Sequence, residues 1–415
     1  MKEWKEYKLG EAAIPVRDRI ETSCLDSSSY ISTENMLPNK AGVTLSSGIP
    51  SGNAIKFKNG DVLISNIRPY FKKIWRANKD GGCSADVICL RASNEVDPLF
   101  LYYLLSQDLF FDYVMQGAKG TKMPRGDKNQ IMQWPIMLPS IKEQQDISSI
   151  LNSLDDKIEV NRRINENLEQ QAQALFKSWF VDFEPFKDQP FVESELGMIP
   201  QGWRVISLDD ACSKITDGSH YSPKDDPFGT IPMLSVKDMR HNGFDYSSCK
   251  KINEEEYEKM KKNDCVPLNK DILVAKDGSY LKEIFLCMQE EKQAILSSIA
   301  IFRSNSNIIY PELLLQLLRL PSVRKDVGDN YVSGSALPRI VLKDFKKFRF
   351  VIAPIEVQSQ IIDAIRSINS QIYIKDLETR RLAELRDTIL PRLMSGELKV
   401  TNMDLVNKLT ENNII

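Results

Sequence analysis

The chain has 415 residues, of which 42% are apolar and 27% are charged, and its formal net charge is −2. These values are typical of a folded chain of two or three domains. They exclude a uniformly basic nucleic-acid binder, so a DNA-binding surface would require charge segregation. No apolar run approaches the ~20 residues that span a bilayer. The chain also begins without the apolar core of a signal peptide, which predicts a cytoplasmic protein.

Cysteine, histidine and nucleotide-binding motifs give no sign of an active site. None of the seven cysteines stands in a C-x-x-C pair, and the two histidines, His220 and His241, are separated, so neither a disulfide framework nor a metal site is predicted. The chain has no Gly-Lys dipeptide for a P-loop, no G-x-G-x-x-G and no G-x-S-x-G nucleophile elbow. We therefore expect a non-catalytic chain without a cofactor of its own.

The first half of the chain contains a series of segments with strand, helix and turn patterns. In order, they are a Trp-led segment, a turn and strand, a second strand, a helix, a glycine-to-proline loop and a final strand: Trp4–Leu9, Asn59–Ser65, Val87–Arg91, Pro98–Leu105, Gly120–Arg125 and Ile136–Pro139.

The same series returns in the same order in the second half. The corresponding segments are Trp203–Leu208, Asn269–Ala275, Ile299–Arg303, Pro311–Leu318, Gly334–Arg339 and Phe350–Pro354. Repetition at a nearly constant offset is the signature of a duplicated structural unit. The sequence therefore predicts two similar domains.

Each half ends in a long amphipathic segment in which apolar residues recur at alternating spacings of four and three, the heptad pattern of a coiled coil. The first predicted seam contains Ile147, Leu151, Leu154, Ile158, Leu168 and Leu175, and the second contains Ile361, Ile365, Ile368, Ile372, Leu382 and Ile389. Both seams are polar in the middle, at Asn161 and Asn165 and at Lys375 and Thr379. We expect the two helices to pack on each other. The alternative is that each packs only on its own domain.

These patterns predict an α+β protein with a pseudo-two-fold internal repeat, in which two long antiparallel coiled-coil helices separate two similar mixed α/β recognition domains. The first helix should stop before Pro185, and Pro391 should kink or end the second. The predicted boundaries are residues 1–145 for domain 1, 146–183 for helix 1, 184–202 for a linker, 203–358 for domain 2, 359–394 for helix 2 and 395–415 for a tail.

Basic and polar residues in segments of both domains are candidates for DNA contacts, since phosphate contacts come mostly from Lys and Arg. In the first domain they are Arg68, Lys72, Lys73, Arg76, Lys119, Lys122, Arg125 and Lys128, and in the second they are Ser219, His220, Lys224, Lys276, Arg339 and Lys343. The aromatic residues between Arg68 and Arg76 are assigned to the core. The alternative is that the charges are solvated, that Arg125 pairs with a local acid and that His220 is an ordinary loop residue.

Several long segments resemble the specificity subunits of type I restriction-modification systems. The most specific are Leu168–Phe183, Ser194–Trp203 and Leu385–Leu398, supported by Asp217–His220 and the two Gly-x-x-x-Pro-Arg loops. The resemblance covers nearly the whole chain.

The resemblance implies a non-catalytic DNA-recognition subunit that reads a bipartite target in double-stranded DNA. It would dock two adenine methyltransferase subunits and usually two restriction subunits. The assembled complex would be a site-specific adenine methyltransferase and an ATP-dependent endonuclease. S-adenosylmethionine, ATP and Mg²⁺ would belong to the partner subunits.

Three alternatives remain open on the sequence. The subunit could serve a modification-only or differently organised restriction system. The chain could instead be a free-standing methyltransferase or nuclease, which the missing motifs oppose, or a purely structural coiled-coil scaffold.

Overall fold

The computed structural model describes residues 4–278, 281–288, 291–334 and 337–400, and the chain divides into two units. The first unit comprises residues 1–159 and 379–415, and the second comprises residues 160–378. Both divisions fall inside long helices, so each unit includes half of each helix. Residues 401–415 of the predicted tail lie outside the described residues, as do Ser335 and Ala336 of the second glycine-to-proline loop.

The first unit contains both short strands and helices. Its helices are α1 (Leu9–Ala12), α2 (Pro98–Leu105), α3 (Asp108–Gln116), α4 (Lys128–Ile131), the beginning of α5 (Ile141–Phe180) and the end of α12 (Ile362–Met394), with 3-10 turns at Thr22–Cys24 and Pro69–Phe71. Its strands are β1 (Lys5–Lys8), β2 (Ala13–Pro15), β3 (Arg19–Glu21), β4 (Tyr30–Ile31), β5 (Asn53–Phe57), β6 (Val62–Ser65), β7 (Ile74–Arg76), β8 (Gly81–Cys83), β9 (Val87–Ala92) and β10 (Pro135–Leu138).

Three sheets organise this unit. One has the strand order β2-β9-β6-β7, another β3-β5-β8-β4, and β1 pairs with β10. Strand β6 is fully buried, as expected of a central strand rich in Val, Ile and Leu. Helix α2 begins at Pro98, with the Asp97 carboxylate accepting hydrogen bonds from the Leu99 and Phe100 amides. Its apolar face joins α3 and the sheet in one core.

The second unit repeats this arrangement with additional short strands. Its helices are the remainder of α5, then α6 (Leu208–Ala211), α7 (Glu254–Lys262), α8 (Pro311–Leu318), α9 (Pro321–Asn330), α10 (Leu342–Phe345), α11 (Ile355–Ser359) and the beginning of α12 (Ile362–Met394), with 3-10 turns at Glu184–Phe186 and Val236–Asp238. Its strands are β11 (Phe191–Ser194), β12 (Gly197–Pro200), β13 (Arg204–Ser207), β14 (Cys212–Asp217), β15 (Ile231–Leu234), β16 (Met239–Arg240), β17 (Gly243–Phe244), β18 (Lys250–Ile252), β19 (Ile272–Ala275), β20 (Ile284–Leu286), β21 (Ala294–Ile295), β22 (Ile299–Ser304), β23 (Val332–Ser333), β24 (Arg339–Ile340) and β25 (Arg349–Ile352).

Sheet topology shows the duplication directly. The order β14-β22-β19-β20 corresponds to β2-β9-β6-β7, and the pair β13–β25 corresponds to β1–β10. A parallel pair also recurs, as β4 with β8 and as β15 with β21. The prediction of an α+β protein with an internal repeat of two similar domains is therefore confirmed. The predicted linker contains the hairpin β11–β12.

A buried ion pair occupies the same place in both units. Asp61 accepts two hydrogen bonds from Arg91 at 2.7 and 2.8 Å, and Asp271 accepts the same two bonds from Arg303 at the same distances. Both aspartates are almost completely buried, so bidentate pairing offsets the cost of removing a carboxylate from water. The repeat thus extends from backbone topology to side-chain chemistry.

In the first unit the two long helices pack on each other in opposite directions. Arg386 of α12 donates a 2.7 Å hydrogen bond to Asp155 of α5. Closer to the start of α5, Glu143 accepts a hydrogen bond from Trp4, whose ring lies against Gly396 after the end of α12. Increasing residue numbers on one helix therefore meet decreasing numbers on the other.

The second unit contains the other halves of the same two helices, and they also run in opposite directions. Asn165 of α5 donates hydrogen bonds to the Ile372 carbonyl and to Asp376 of α12. Farther along α5, Ala172 and Phe176 share a core with Ile361. Pairing of α5 with α12 is thus found in each unit, as the heptad pattern predicts.

The predicted seam residues are all buried or half-buried. Leu168 and Leu175 are only half-buried, whereas Phe176, which was outside the predicted seam, is buried. The helices also contribute to the cores of the two units, so packing on each other and packing on a globular core occur together, and the alternative of packing only on one domain does not hold. A helix that packs on a partner and on a globular layer needs an apolar stripe wider than a strict heptad seam.

The second helix continues through Pro391 to Met394, whereas the sequence predicted a kink or an end at the proline. The Ser395 amide bonds to the Pro391 carbonyl, and Gly396 then adopts a positive φ of 72°. Since Pro391 lies in the last turn, it removes only one hydrogen bond near the helix end. Helix α5 ends at Phe180 and not at Phe183, which adopts a left-handed conformation before Pro185.

Candidate nucleic-acid interface

The glycine-to-proline loop of the first unit is a tight turn closed by backbone hydrogen bonds. Lys119 and Arg125 exchange two N–H···O bonds of 2.9 Å. Gly120 has a φ of 98°, a conformation that favours glycine. The Arg68 amide also donates to the Pro124 carbonyl at 2.8 Å. The turn is therefore fixed to the segment that follows β6.

The corresponding loop of the second unit is built in the same way. Ser333 pairs with Arg339 across β23 and β24, and Gly334 has a φ of 88°. The Gly278 amide donates to the Pro338 carbonyl at 2.7 Å, as Arg68 does to Pro124. The two loops thus place Arg125 and Arg339 at equivalent positions.

Both loop arginines pair with an acid and remain more than half exposed. Arg125 lies 3.1 Å from an Asp86 oxygen, and Arg339 lies 2.9 Å from an Asp277 oxygen. Exposed ion pairs contribute only about 0–1 kcal/mol, which applies to Arg125 and Asp86. Asp277 is only 12% exposed, so its pairing with Arg339 is more costly to break. The geometry is compatible with a phosphate contact and with the local pairing that the sequence left open.

The other lysines around the first loop are exposed. Lys119 pairs with Asp127 at 3.3 Å, while Lys122 and Lys128 lie on the surface. Asp127 also accepts bonds from the Asn129 and Gln130 amides at the start of α4, and these backbone bonds hold its pKa below the ordinary value. This part of the surface therefore presents several exposed lysines around Asp127, whose carboxylate already accepts hydrogen bonds from backbone amides.

The basic side chains between Arg68 and Arg76 form more contacts with the rest of the protein than the sequence suggests. The Lys73 ammonium donates to the Thr33 carbonyl at 2.6 Å, and burial together with the nearby Arg68 lowers the pKa of Lys73. Lys72 pairs with Asp108 at 3.0 Å.

Arg68 and Arg76 each have a buried Nε that lacks a hydrogen-bond partner among the described residues. Of the aromatic residues assigned to the core in this segment, Phe71 and Trp75 are half-buried but Tyr70 is exposed. The segment is thus a mixture of packed and surface groups.

The Asp217–His220 stretch of the second unit contains one surface residue and several structural contacts. His220 is exposed and lies 3.4 Å from Asp217. Ser219 is buried, and its hydroxyl bonds to the Tyr221 carbonyl at 2.7 Å. Lys224 is exposed. Ser219 therefore shapes the turn that presents His220 and Lys224.

Lys276 and Lys343 have opposite environments. Only 7% of the Lys276 side chain is exposed, and its ammonium forms an ion pair with Asp217. Lys343 lies exposed on the short helix α10. Since 59 residues separate Lys276 from Asp217, the pairing could not be read from the local sequence. Phe228 and Lys251 are surface residues that the sequence pattern does not single out.

Among the described residues, no group of three His, Cys, Asp or Glu side chains is arranged to hold a metal ion. Within the same part of the chain, no helix has the length and hydropathy of a membrane span.

Comparisons with known proteins agree with these features. A family model described as the type I restriction modification DNA specificity domain matches residues 1–170 and 200–386. The MjaIX specificity subunit of Methanocaldococcus jannaschii is 30% identical over 73% of this chain and 70% of the relative. The HindI specificity subunit of Haemophilus influenzae is 24% identical over 96% of this chain and the whole relative.

A similar fold is present among solved structures. The crystal structure of a type I restriction-modification S subunit from M. genitalium matches with a TM-score of 0.51 and 16% identity, covering 94% of this chain and 96% of that one. At this identity the likeness supports the fold.

Proposed function

This chain belongs to the type I restriction-modification DNA specificity family, and we propose that it reads a bipartite DNA target, one half-site with each unit. As a specificity subunit it is the DNA-recognition component of such a system and not an enzyme. The proposed target is double-stranded DNA with two short recognition sequences separated by a spacer.

This proposal rests on one observation: the same loop, held by the same backbone hydrogen bonds, is present in both units. The pairs Lys119/Arg125 and Ser333/Arg339 close equivalent turns, each fixed to the segment after a buried strand. Two similar surfaces in one chain favour two similar ligands. Covalent linkage makes the second binding step intramolecular, which raises the effective concentration at correctly spaced half-sites.

The long helices support a spacer role. Helix α5 has 40 residues, or about 60 Å at 1.5 Å per residue, whereas one turn of B-DNA is about 34 Å. Both helices continue from one unit into the other, so their length should determine which half-site separations are tolerated.

The partners that we propose are two adenine methyltransferase subunits, docked on the helices, and usually two restriction subunits. S-adenosylmethionine, ATP and Mg²⁺ would bind to those partners, and the complex would act in the cytoplasm. Methylation of adenine requires the base to leave the stack, a step that a partner's pocket would perform while this chain positions the duplex.

Mapping of methylated adenines tests the proposal. The chain is co-expressed with its methyltransferase partner, and modified sites are mapped across the host genome. We expect one split, asymmetric motif. Four residues are then inserted after Asn161 and four after Lys375, which lengthens both helices by about one turn. The expected result is the same two half-sites with a longer spacer; unchanged spacing would refute the spacer role.

Co-purification distinguishes the alternatives. Capture of a methyltransferase without a restriction subunit would indicate a modification-only system. Binding of labelled S-adenosylmethionine to the isolated chain would support a methyltransferase of its own. Failure of the assembled complex to protect any DNA sequence would favour a scaffold.

A further inference from the structure

Phe228 is the most exposed of the large apolar side chains that the described residues place on the surface. The residue is 93% exposed, and the next most exposed, Leu45, reaches 68%. Isolated apolar residues on a surface are common, so exposure by itself assigns no role. The construction of the surrounding turn and the charges beside it provide the argument.

The turn that carries Phe228 is held rigidly. The Asp226 carboxylate accepts the Phe228 amide at 2.9 Å, and the Gly229 amide bonds to the Asp226 carbonyl at 2.9 Å. Asn253 binds the other carboxylate oxygen at 3.1 Å. A Cβ on Gly229 would come within 2.9 Å of the Ile252 backbone, so the turn lies directly against β18. A side chain on a preordered turn loses little conformational entropy on binding.

Lysines lie beside this turn, which itself contains Asp225 and Asp226. Lys224 and Lys251 are exposed, and the Lys250 ammonium donates hydrogen bonds to the Ser222 hydroxyl and the Pro223 carbonyl. The neighbouring acids are engaged by backbone amides, since Asp225 accepts the Lys251 amide at 2.8 Å. An exposed apolar tip with lysines on either side is suited to a duplex, whose stacked bases are apolar and whose phosphates are anionic.

The first unit contains a turn of the same type without the apolar tip. Asp26 accepts hydrogen bonds from the Ser28 and Ser29 amides. It precedes β4, which pairs in parallel with β8 as β15 does with β21. The residue two positions after the turn aspartate is Ser28 in the first unit and Phe228 in the second.

We propose that Phe228 is a wedge that the second unit inserts from the minor groove between two base pairs of its half-site, while Lys224 and Lys251 contact the flanking phosphates. This inference rests on the proposed DNA-reading function. Inserted apolar side chains partly unstack a base step and kink the duplex. The second half-site should therefore be distorted at one step, and the first half-site should lack this distortion.

The test uses the complex of the full chain with its methyltransferase, after the target has been mapped. Duplexes with 2-aminopurine at successive positions report unstacking by increased fluorescence, and anisotropy gives the dissociation constant. We expect one position in the second half-site to respond. F228A should abolish this response and weaken binding roughly 10-fold or more, F228L should retain most of both, and L268A, at another exposed apolar residue of the second unit, should behave as the parent.

Parent-like fluorescence and affinity in F228A would overturn the wedge while leaving bipartite recognition intact. Reduced capture of the methyltransferase by F228A, with unstacking unchanged, would likewise overturn it and assign Phe228 to a protein contact. If the parent complex itself recognises no bipartite target, the proposed function fails, and the wedge fails with it.

Discussion

Removal of the Arg386 guanidinium should selectively destabilise the first unit. Arg386 of α12 donates to Asp155 of α5 at 2.7 Å, and the opposite oxygen of Asp155 accepts the Tyr103 hydroxyl at 2.7 Å. The Arg386 and Asp155 side chains are only 22% and 27% exposed. Burial and the nearby Asp155 raise the pKa of Tyr103, so its hydroxyl remains a donor at neutral pH.

The expected size follows from this geometry. A hydrogen bond to a charged group contributes about 1.5–3 kcal/mol, and loss of one member of a fully buried ion pair costs about 3–5 kcal/mol. Because water reaches part of this pair, we expect R386M to lower the free energy of unfolding by about 2 kcal/mol. For a unit of this size that corresponds to a decrease of about 4–8 °C in Tm.

Differential scanning calorimetry can measure this effect in the full chain. R392M is the matched control, because Arg392 lies on the same helix and pairs with Glu397 on the surface at 2.9 Å, where a pair contributes about 0–1 kcal/mol. Y103F should cost about half as much as R386M, since it removes one hydrogen bond and leaves the ion pair. Equal Tm shifts for R386M and R392M would refute the reasoning.

Three further predictions concern phosphate contacts, pH and a buried amide. R125A and R339A should each weaken DNA binding and reduce the slope of log K against log salt by about 1; a parent-like slope would show that the arginine touches no phosphate. The hydrogen bond that the His241 ring donates to the Glu169 carboxylate raises the pKa of His241, so the stabilisation from this contact should be complete below pH ~6.5 and decline as pH rises through the raised value. The Tm difference between parent and H241A should therefore be larger at pH 6 than at pH 9, and a constant difference would contradict the assignment. Q358L should lower the free energy of unfolding by about 3 kcal/mol, because the buried Gln358 amide bonds to three backbone groups; exposed Gln360 gives the control Q360L, and equal denaturation midpoints would count against this role.

The equivalent residue in the first unit shows why such amides could not be identified from sequence. Gln144 bonds to the Pro139 and Glu95 carbonyls and accepts the Asp97 amide. Its sequence neighbours on α5 give it the appearance of a polar surface residue. Its role depends on a loop 47 residues away, and contacts over such separations leave no periodic signal.

The amino-acid sequence by itself determined the duplication, the fold class and the two long helices. Repeated motifs and apolar periodicity lie along the chain and follow from local geometry. A helix shows spacings of four and three, and the strand motifs recur in the same order in both halves. The apolar stripe of α5 is wider than the seam predicted from the sequence, because Phe176 also packs into the core of the second unit. Only the tertiary contacts show this.

Only the tertiary structure decided which candidate cations are available to a ligand. Both Lys276 and Lys128 were candidates for DNA contacts from the sequence. In the structure, Lys276 is buried against Asp217, whereas Lys128 is exposed. The sequence pattern does not single out Phe228, and the structure places it on the surface. Exposure depends on which distant groups pack around a side chain, and the free energy of burying a charge or an aromatic ring is set by those neighbours rather than by the adjacent residues.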